Sequence, residues 1–434
     1  MACEWQEVRI GTLCDGIFDG PHATPVRTDA GPVFLGISSL VNGRLDLSKS
    51  DHLSETDFPR WTKRVLPMKD DLVFSYETRL GEAALIPDNL RCCLGRRMAL
   101  LRLNRDVVDP RFLLYAFLSP QFQDVIRSRT KQGSTVQRIL LTEFGDFRIA
   151  IPELLEQKAI GATLAALDER IALLEESNKT FEALARAIFK SWFVDFDPVR
   201  AKAEGREPEG MDATAATAAL FPDTLIAANN TIVARGWGRE PLDQIAVFLN
   251  GLALQKFAAD GDEDWLPAIK IAQLKRGSAE GADCVSRRRL PQKYLIGDGD
   301  LIFSWSGSLE VVIWCGGEGA LNQHLFKVDS ERFPRWFVYH WLLEHLPHFR
   351  EVAASKVTTM GHIQRHHLSE AIVTVPDAPL LERLGETMTP LFEKSIHCRL
   401  QSKTLADLRD TLLPRLISGK LRVSEAEKLV EAVL

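Results

Sequence analysis

No apolar run in the 434 residues approaches the ~20 that a membrane-spanning helix needs. Cysteine is scarce: seven residues, an odd number, with an adjacent Cys92-Cys93 and no CxxC. That excludes a disulfide framework and points to a reducing cytoplasm, with Cys92 and Cys93 as buried packing. The start, Met1-Ala2-Cys3-Glu4-Trp5, lacks the basic-then-apolar pattern of a secretory leader. No GxxxxGK(S/T) phosphate loop and no glycine-rich strand-to-helix turn occur, so neither kind of nucleotide site is expected. Net positive charge is also lacking. A formal charge of −6 argues against coating nucleic acid by bulk electrostatics, yet leaves room for local basic loops. The 45% hydrophobic and 26% charged content is that of a soluble globular protein, and the length suggests two or three domains.

What the chain does have is a duplicated heptad seam. Ile160, Leu164, Leu167, Ile171, Leu174, Asn178, Phe181, Ala185 and Ile188 alternate spacings of four and three, so a helix over this stretch wants another helix beside it. The same register returns 224 residues later as Leu384, Met388, Leu391, Ser395, Cys398, Ser402, Leu405, Arg409 and Leu412. Identities travel with it: Gly161 and Gly385, Thr163 and Thr387, Lys179-Thr180 and Lys403-Thr404. A constant offset with shared identities marks an internal repeat rather than two unrelated amphipathic helices.

The flanking segments repeat as well. Residues 1–152 read as a mixed α/β module with strands near Val33–Ile37, Asp70–Tyr76 and Gly95–Leu103, then a helix opening at Pro110. Residues 237–376 follow the same plan: Asp300-Leu301-Ile302-Phe303-Ser304 repeats Asp71-Leu72-Val73-Phe74-Ser75, and PRWFVYHWLLEHL repeats PRFLLYAFL. Between them lie a first long helix, 153–196, and a charged, Gly/Pro/Ala-rich stretch, 197–236, that reads as an exposed linker. A second long helix, 377–420, and a tail, 421–434, end the chain. The expected fold is mixed α/β: two similar globular modules separated by two long coiled-coil helices in a pseudo-two-fold repeat. If the second helix packs on the first it must return toward the first module, so the pair runs antiparallel.

Several of these stretches carry a family likeness. DGPHATP, ALARAIFKSWFVDFDPVRAKAEGREPEG, TTMGHIQRHHLSEA and LRDTLLPRLISGKLRV, in this order within the repeat, resemble the specificity subunit of type I restriction-modification enzymes. The resemblance covers residues 5–423 and implies a sequence-specific DNA-binding subunit without catalysis of its own. Each module would be a target recognition domain reading one half of a bipartite, asymmetric double-stranded site. The helices would fix the spacer and dock two modification (methyltransferase) subunits, joined in some systems by two restriction subunits. It further implies no cofactor in this chain, S-adenosylmethionine in the modification subunits, and ATP and Mg in the restriction subunits. The absent (N/D)PP(Y/F) loop, of which Asp197-Pro198 is only a fragment, agrees with chemistry located elsewhere. A helix of roughly 31 residues spans on the order of 46 Å, long enough to hold two readers about one DNA turn apart. The competing reading is an interaction scaffold built on the duplicated helices that does not bind DNA.

Base edges are read by polar and guanidinium side chains on loops. In the first module these are His22, Thr24, Tyr76, Thr78, Arg79, Gln132, Ser134, Thr135, Gln137 and Arg138. In the second they are Lys270, Gln273, Lys275, Arg276, Ser304, Trp305, Ser306, Asn322, Gln323, Thr358, Thr359, His362, Gln364 and Arg365. Each has a plainer role open to it, since loop Ser and Thr cap turns and exposed Arg solvates a face. Arg287, Arg288, Arg289 and Lys293 have the look of phosphate contacts. Seven of the ten histidines fall in the second module, but His340 and His345 lack the HExxH spacing and no metal site is expected. The aromatic group Phe189, Trp192, Phe193 and Phe196 either meets a methyltransferase subunit or packs locally against the second module.

Overall fold

The computed structural model describes residues 5–130, 137–208, 215–228, 231–261, 264–355 and 361–433. The chain divides into two compact units, one of Met1–Ala172 with Lys403–Leu434, the other of Leu173–Ser402. Both long helices cross this division, so each unit holds one module and a half of each helix.

In the first unit, strands Cys14–Asp19, Met98–Leu103, Leu72–Ser75 and Ala83–Leu85 hydrogen-bond in that order as an antiparallel sheet. All four residues of Leu72–Ser75 are buried, which explains its unbroken apolar pattern. A second sheet runs through Thr28–Leu35, whose Val33–Leu35 pairs in parallel with Cys92–Leu94. Gln6–Arg9 pairs with Arg148–Ile151 and closes the module. The second unit repeats the scheme. Val247–Asn250, Leu325–Asp329, Leu301–Ser304 and Val311–Ile313 form the antiparallel sheet, Ala268–Ile269 pairs in parallel with Ala320–Leu321, and Gly238–Pro241 pairs with Ile372–Val375. Even the strand entry repeats: Asp71 Oδ2 accepts from Met68 N and Asp300 Oδ2 from Gly297 N, both at 2.8 Å.

Helix α1 (Pro110–Leu118) starts with proline in its first turn and with Asp109 accepting from Phe112 N at 2.9 Å. The first long helix, α2 (Leu154–Phe189), passes close to that cap. A Cβ at Gly161 would lie 2.8 Å from both Asp109 Oδ1 and Phe112 N, so only glycine fits. Beyond Phe189 the chain adds a π-helical turn, Lys190–Val194, and stops at Phe196 in the left-handed region with φ 57°. Phe196 is 4% exposed, and its burial holds a conformation that a β-carbon disfavours.

In the second unit, α3 (Arg335–Ala354) is the counterpart of α1 and lies between the two long helices. Phe193 meets Trp336 and Phe337, and Phe189 meets His340 and Trp341, so α2 runs opposite to α3. The second long helix, α4 (Ala378–Ile417), runs with α3: Gly385 is beside Trp336 and Phe392 beside Tyr339. The helices are therefore antiparallel, as expected from the chain order. Ion pairs join them in each unit, Asp168 with Arg409 at 2.7 Å in the first and Glu182 with Arg399 in the second. In the first unit Gly419, after α4, lies against Trp5.

One expectation changes, and one open alternative closes. The 197–236 stretch is not simply exposed: Val199, Ala201, Phe221 and Ala234 are buried, and Leu225–Ala228 pairs antiparallel with Thr231–Ala234. Its few apolar residues, diluted among charges, pack on Trp192 and Trp237. The aromatic group at the end of α2 is core. Phe189, Trp192, Phe193 and Phe196 are all 9% exposed or less and pack with Trp237, Trp336 and Phe337 inside the second unit. Each such ring contributes on the order of 1.5–3 kcal/mol of burial, so the local-packing reading holds.

Candidate nucleic-acid interface

Strand register identifies corresponding positions more finely than sequence offset. Ser75 is opposite Met98 and Ser304 opposite Leu325, while Asp19 is opposite Ala99 and Asn250 opposite Phe326. The backbone confirms the frame. Tyr76 N donates to Arg97 O at 3.2 Å, and Trp305 N to His324 O at 3.3 Å. Ile139 N donates to Tyr76 O, and Ile363 N to Trp305 O. Isolated bridges join Glu77 with Arg138 and Ser306 with His362. Tyr76, Glu77, Arg96, Arg97 and Arg138 thus correspond to Trp305, Ser306, Gln323, His324 and His362.

At this end of the second module's sheet, Trp305 Nε1 donates to Asn250 Oδ1 at 3.0 Å, and Ser306 Oγ is 2.9 Å from His324 Nδ1. The Trp305 ring lies 5.9 Å from that of His324 and 6.4 Å from that of His362. Gln323 Nε2 is 3.3 Å from His324 Nε2. Donors, acceptors and an indole are gathered on one edge, a set able to meet base edges and faces. In the first module the same place holds charge. Arg97 sits 3.6 Å from Glu77, its Nε buried without a hydrogen-bond partner, and Tyr76 Oη donates to Arg96 O at 2.8 Å. Burial, aided by Asp19 and Glu77, pushes the Tyr76 phenol above its ordinary range, so it stays a donor at neutral pH. His22 and Arg64 both pair with Asp19 beside it.

Other expected contacts are turned to structural work. Arg79 is bound by Glu82 and by the carbonyls of Ile37 and Leu40. Gln273 is buried and caps the helix Ile271–Arg276 by accepting from Lys270 N. Ser304 is fully buried, donating to the carbonyls of Ser306 and Ser308, and Asn322 accepts from His324 N. Lys270 pairs with Asp283, and Arg276 with Glu280. Arg365 donates to Phe248 O and lies over the Phe326 ring. Thr24, Thr78, Gln137, Arg138, Lys275 and Gln364 are exposed. Gln132, Ser134, Thr135, Thr358 and Thr359 lie outside the described residues.

The basic run is less available than its sequence suggests. Arg287 pairs with Asp264 and Glu318, and Arg289 with Asp260, whereas Arg288 is exposed and has no ion pair among the described residues. Arg96 and Arg97 were not expected as site residues. The signal lay in the repeat: both are the register counterparts of residues in the second module's polar cluster.

His340 is buried, Nδ1 facing Trp336 O at 2.7 Å, and burial lowers its pKa to about 4. His366, His367 and Glu370 bring ligand atoms within 4.8 Å of one another on a short surface helix, where His367 Nδ1 already accepts from Gln364 N. Burial pushes the Cys92 and Cys93 thiols up to about 12. Among the described residues no helix is long and apolar enough to cross a membrane.

Residues 4–183 match the family model described as type I restriction modification DNA specificity domain. The HindI specificity subunit of Haemophilus influenzae is 22% identical over 96% of this chain and all of that one. The MjaIX specificity subunit of Methanocaldococcus jannaschii is 24% identical over 86% of this chain and 82% of its own. Among solved structures, the type I restriction-modification S subunit from M. genitalium superposes with a TM-score of 0.56 at 17% identity, covering 95% of this chain and 96% of that one. That likeness extends the agreement in fold to nearly the whole chain.

Proposed function

We propose that the chain is a specificity subunit of a type I restriction-modification enzyme, a non-catalytic member of a methyltransferase and endonuclease complex, and that each of its modules reads one half of a bipartite DNA site. Residues 1–152 and 237–376 are the two recognition domains, and α2 with α4 sets the spacer between half-sites and docks the modification subunits. Those subunits supply S-adenosylmethionine-dependent methyl transfer, and restriction subunits, where present, supply ATP-driven cleavage.

One observation carries this reading. The same backbone frame appears twice, and at one end of it equivalent positions bear different recognition chemistry: Tyr76, Arg96, Arg97 and Arg138 in one module, Trp305, Gln323, His324 and His362 in the other. A frame held constant while its contact residues vary is what two readers of unlike half-sites require.

The test is a gel shift of the chain with its modification partner, together with methylation mapping in a host with and without the gene. A split motif, bound less tightly as salt rises, is expected. Exchange of residues 1–152 for another family member's module should alter one half-site only. Alteration of both would refute modular reading, and absence of any salt-sensitive shift would favour the scaffold alternative.

A further inference from the structure

The guanidinium of Arg96 is exposed and, among the described residues, has no ion pair or hydrogen bond. Its neighbours differ. Arg27 pairs with Asp51, Arg64 with Asp19, Arg79 with Glu82, and Arg97 faces Glu77. The backbone beneath Arg96 is fixed: Gly95 N donates to Leu35 O at 2.7 Å, Met98 N to Gly95 O at 3.1 Å, and Tyr76 Oη to Arg96 O at 2.8 Å. A free guanidinium on a pinned turn suits a directional contact more than a diffuse one.

Beside it lies a cleft of about 300 Å³ whose lining includes Thr24, Arg27, Ser38, Asp51, Arg96 and Arg97 together with Phe34, Gly36 and Gly95. No side chain fits at Gly95, where a Cβ would stand 2.6 Å from Leu35 O. In the second module Lys270 and Asn322 occupy the corresponding strand ends and Gln323 takes the place of Arg96. The cleft's lining mixes donors with a carboxylate and hydroxyls. Asp51 is already paired with Arg27, and the lining as a whole offers acceptors as well as donors, which suits a base edge, with groups of both kinds, more closely than a phosphate, which only accepts.

We propose that Arg96 is a specificity-determining residue that reads a guanine in the first half-site, and that Gln323 holds the same place against an adenine in the second. The pairing follows from geometry: a guanidinium matches guanine O6 and N7 as two acceptors, and a carboxamide matches adenine N6 and N7. The proposal rests on the DNA-reading function above.

The experiment uses the full chain with its modification subunits and a randomised half-site library, with Arg96→Gln, Arg96→Lys and Gln323→Arg. Arg96→Gln should move the preference at one position of the first half-site from guanine toward adenine. Affinity for the original site should fall on the order of 10- to 100-fold. Arg96→Lys keeps the charge but should lose discrimination at that same position. Gln323→Arg should change one position of the second half-site alone. Loss spread evenly over all sequences, with a salt slope reduced by about 1, would make Arg96 a phosphate contact and overturn the proposal. Unchanged preference would overturn it too. If the wild-type complex itself fails to bind a bipartite site, the DNA-reading function fails first, a result distinct from either of these.

Discussion

Asp168 is the residue whose removal should cost the first unit most for the fewest atoms. Its carboxylate is 14% exposed, accepts from Tyr115 Oη and from Arg409 Nη1, each at 2.7 Å, and lies 3.3 Å from Arg44. Asp168→Ala leaves the Tyr115 hydroxyl, on a side chain 6% exposed, without its acceptor. An orphaned buried donor costs about 1–3 kcal/mol. Arg409 is not orphaned, since Asp410 Oδ1 accepts from its Nε at 2.9 Å and its Nη2 at 2.8 Å. The lost ion pair, being partly exposed, therefore adds only about 1 kcal/mol. The total is about 2–4 kcal/mol, read as the fall in hydrogen-exchange protection of residues 154–172 and 403–417 under rising denaturant. Tyr115→Phe alone should cost about 1 kcal/mol, and the double variant should cost less than the sum, because no donor is then left unpaired. A strictly additive cycle, or a single-variant cost under about 0.5 kcal/mol, would show that this network does not hold α4 to the module.

The second unit should weaken in mild acid. Burial holds the folded-state pKa of His340 at about 4, below the ordinary 6.5, so its contribution is complete above pH 6.5 and is lost as pH falls toward 4. The loss is worth up to roughly 3 kcal/mol, with His345, also lowered by burial, adding in the same direction. Unfolding midpoints at pH 7, 6 and 5 should decline, and His340→Leu should flatten that decline; an equally steep fall in the variant would assign it to other groups. Cys284 is exposed, whereas Cys92 and Cys93 are buried with raised pKa values, so a thiol reagent at pH 8 should label Cys284 and spare the pair until the chain unfolds. Peptide mapping that finds Cys92 or Cys93 labelled first would contradict this. Deleting one heptad from both α2 and α4 removes about 10.5 Å of helix, roughly three base pairs. Methylation mapping should find the spacer shortened by about that amount or the motif lost, and an unchanged spacer would end the ruler idea.

The long helices and the duplication were legible because their signals are local and periodic. Ile160 through Leu174 is buried at every seam position, as is Leu384 with Met388. Strands Leu72–Ser75 and Met98–Leu103 were legible for a similar reason, as short apolar runs bounded by charge. The candidate contact surface was not. Whether Arg79 faces outward or is bound by Glu82 and two carbonyls depends on residues 39 to 42 positions away meeting it, which no spacing rule encodes. Gln273 looked like a loop reader and is a cap, because helix ends draw polar side chains for their own unpaired N–H groups. Arg96 and Arg97 escaped notice because the offset drifts between modules. Register pairs Met98 with the place of Leu325, 227 residues on, whereas the helices repeat at 224.

The ion pairs between α2 and α4 bear on how such a gene can be reshuffled. In both units α2 supplies the acid, Asp168 or Glu182, and α4 the arginine, Arg409 or Arg399. At the repeat offset of 224 these positions correspond to Phe392, Ala406, Ala185 and Glu175. The duplicated halves have thus diverged from interchangeable copies into a lock and its key. Replacing a module between its flanking helices would leave these pairs intact, whereas an exchange that put two α2-type helices in one chain would set acid against alanine or acid. Two mismatched pairs of this kind would together cost about 1–2 kcal/mol, a bias toward exchange at the module borders rather than within the helices.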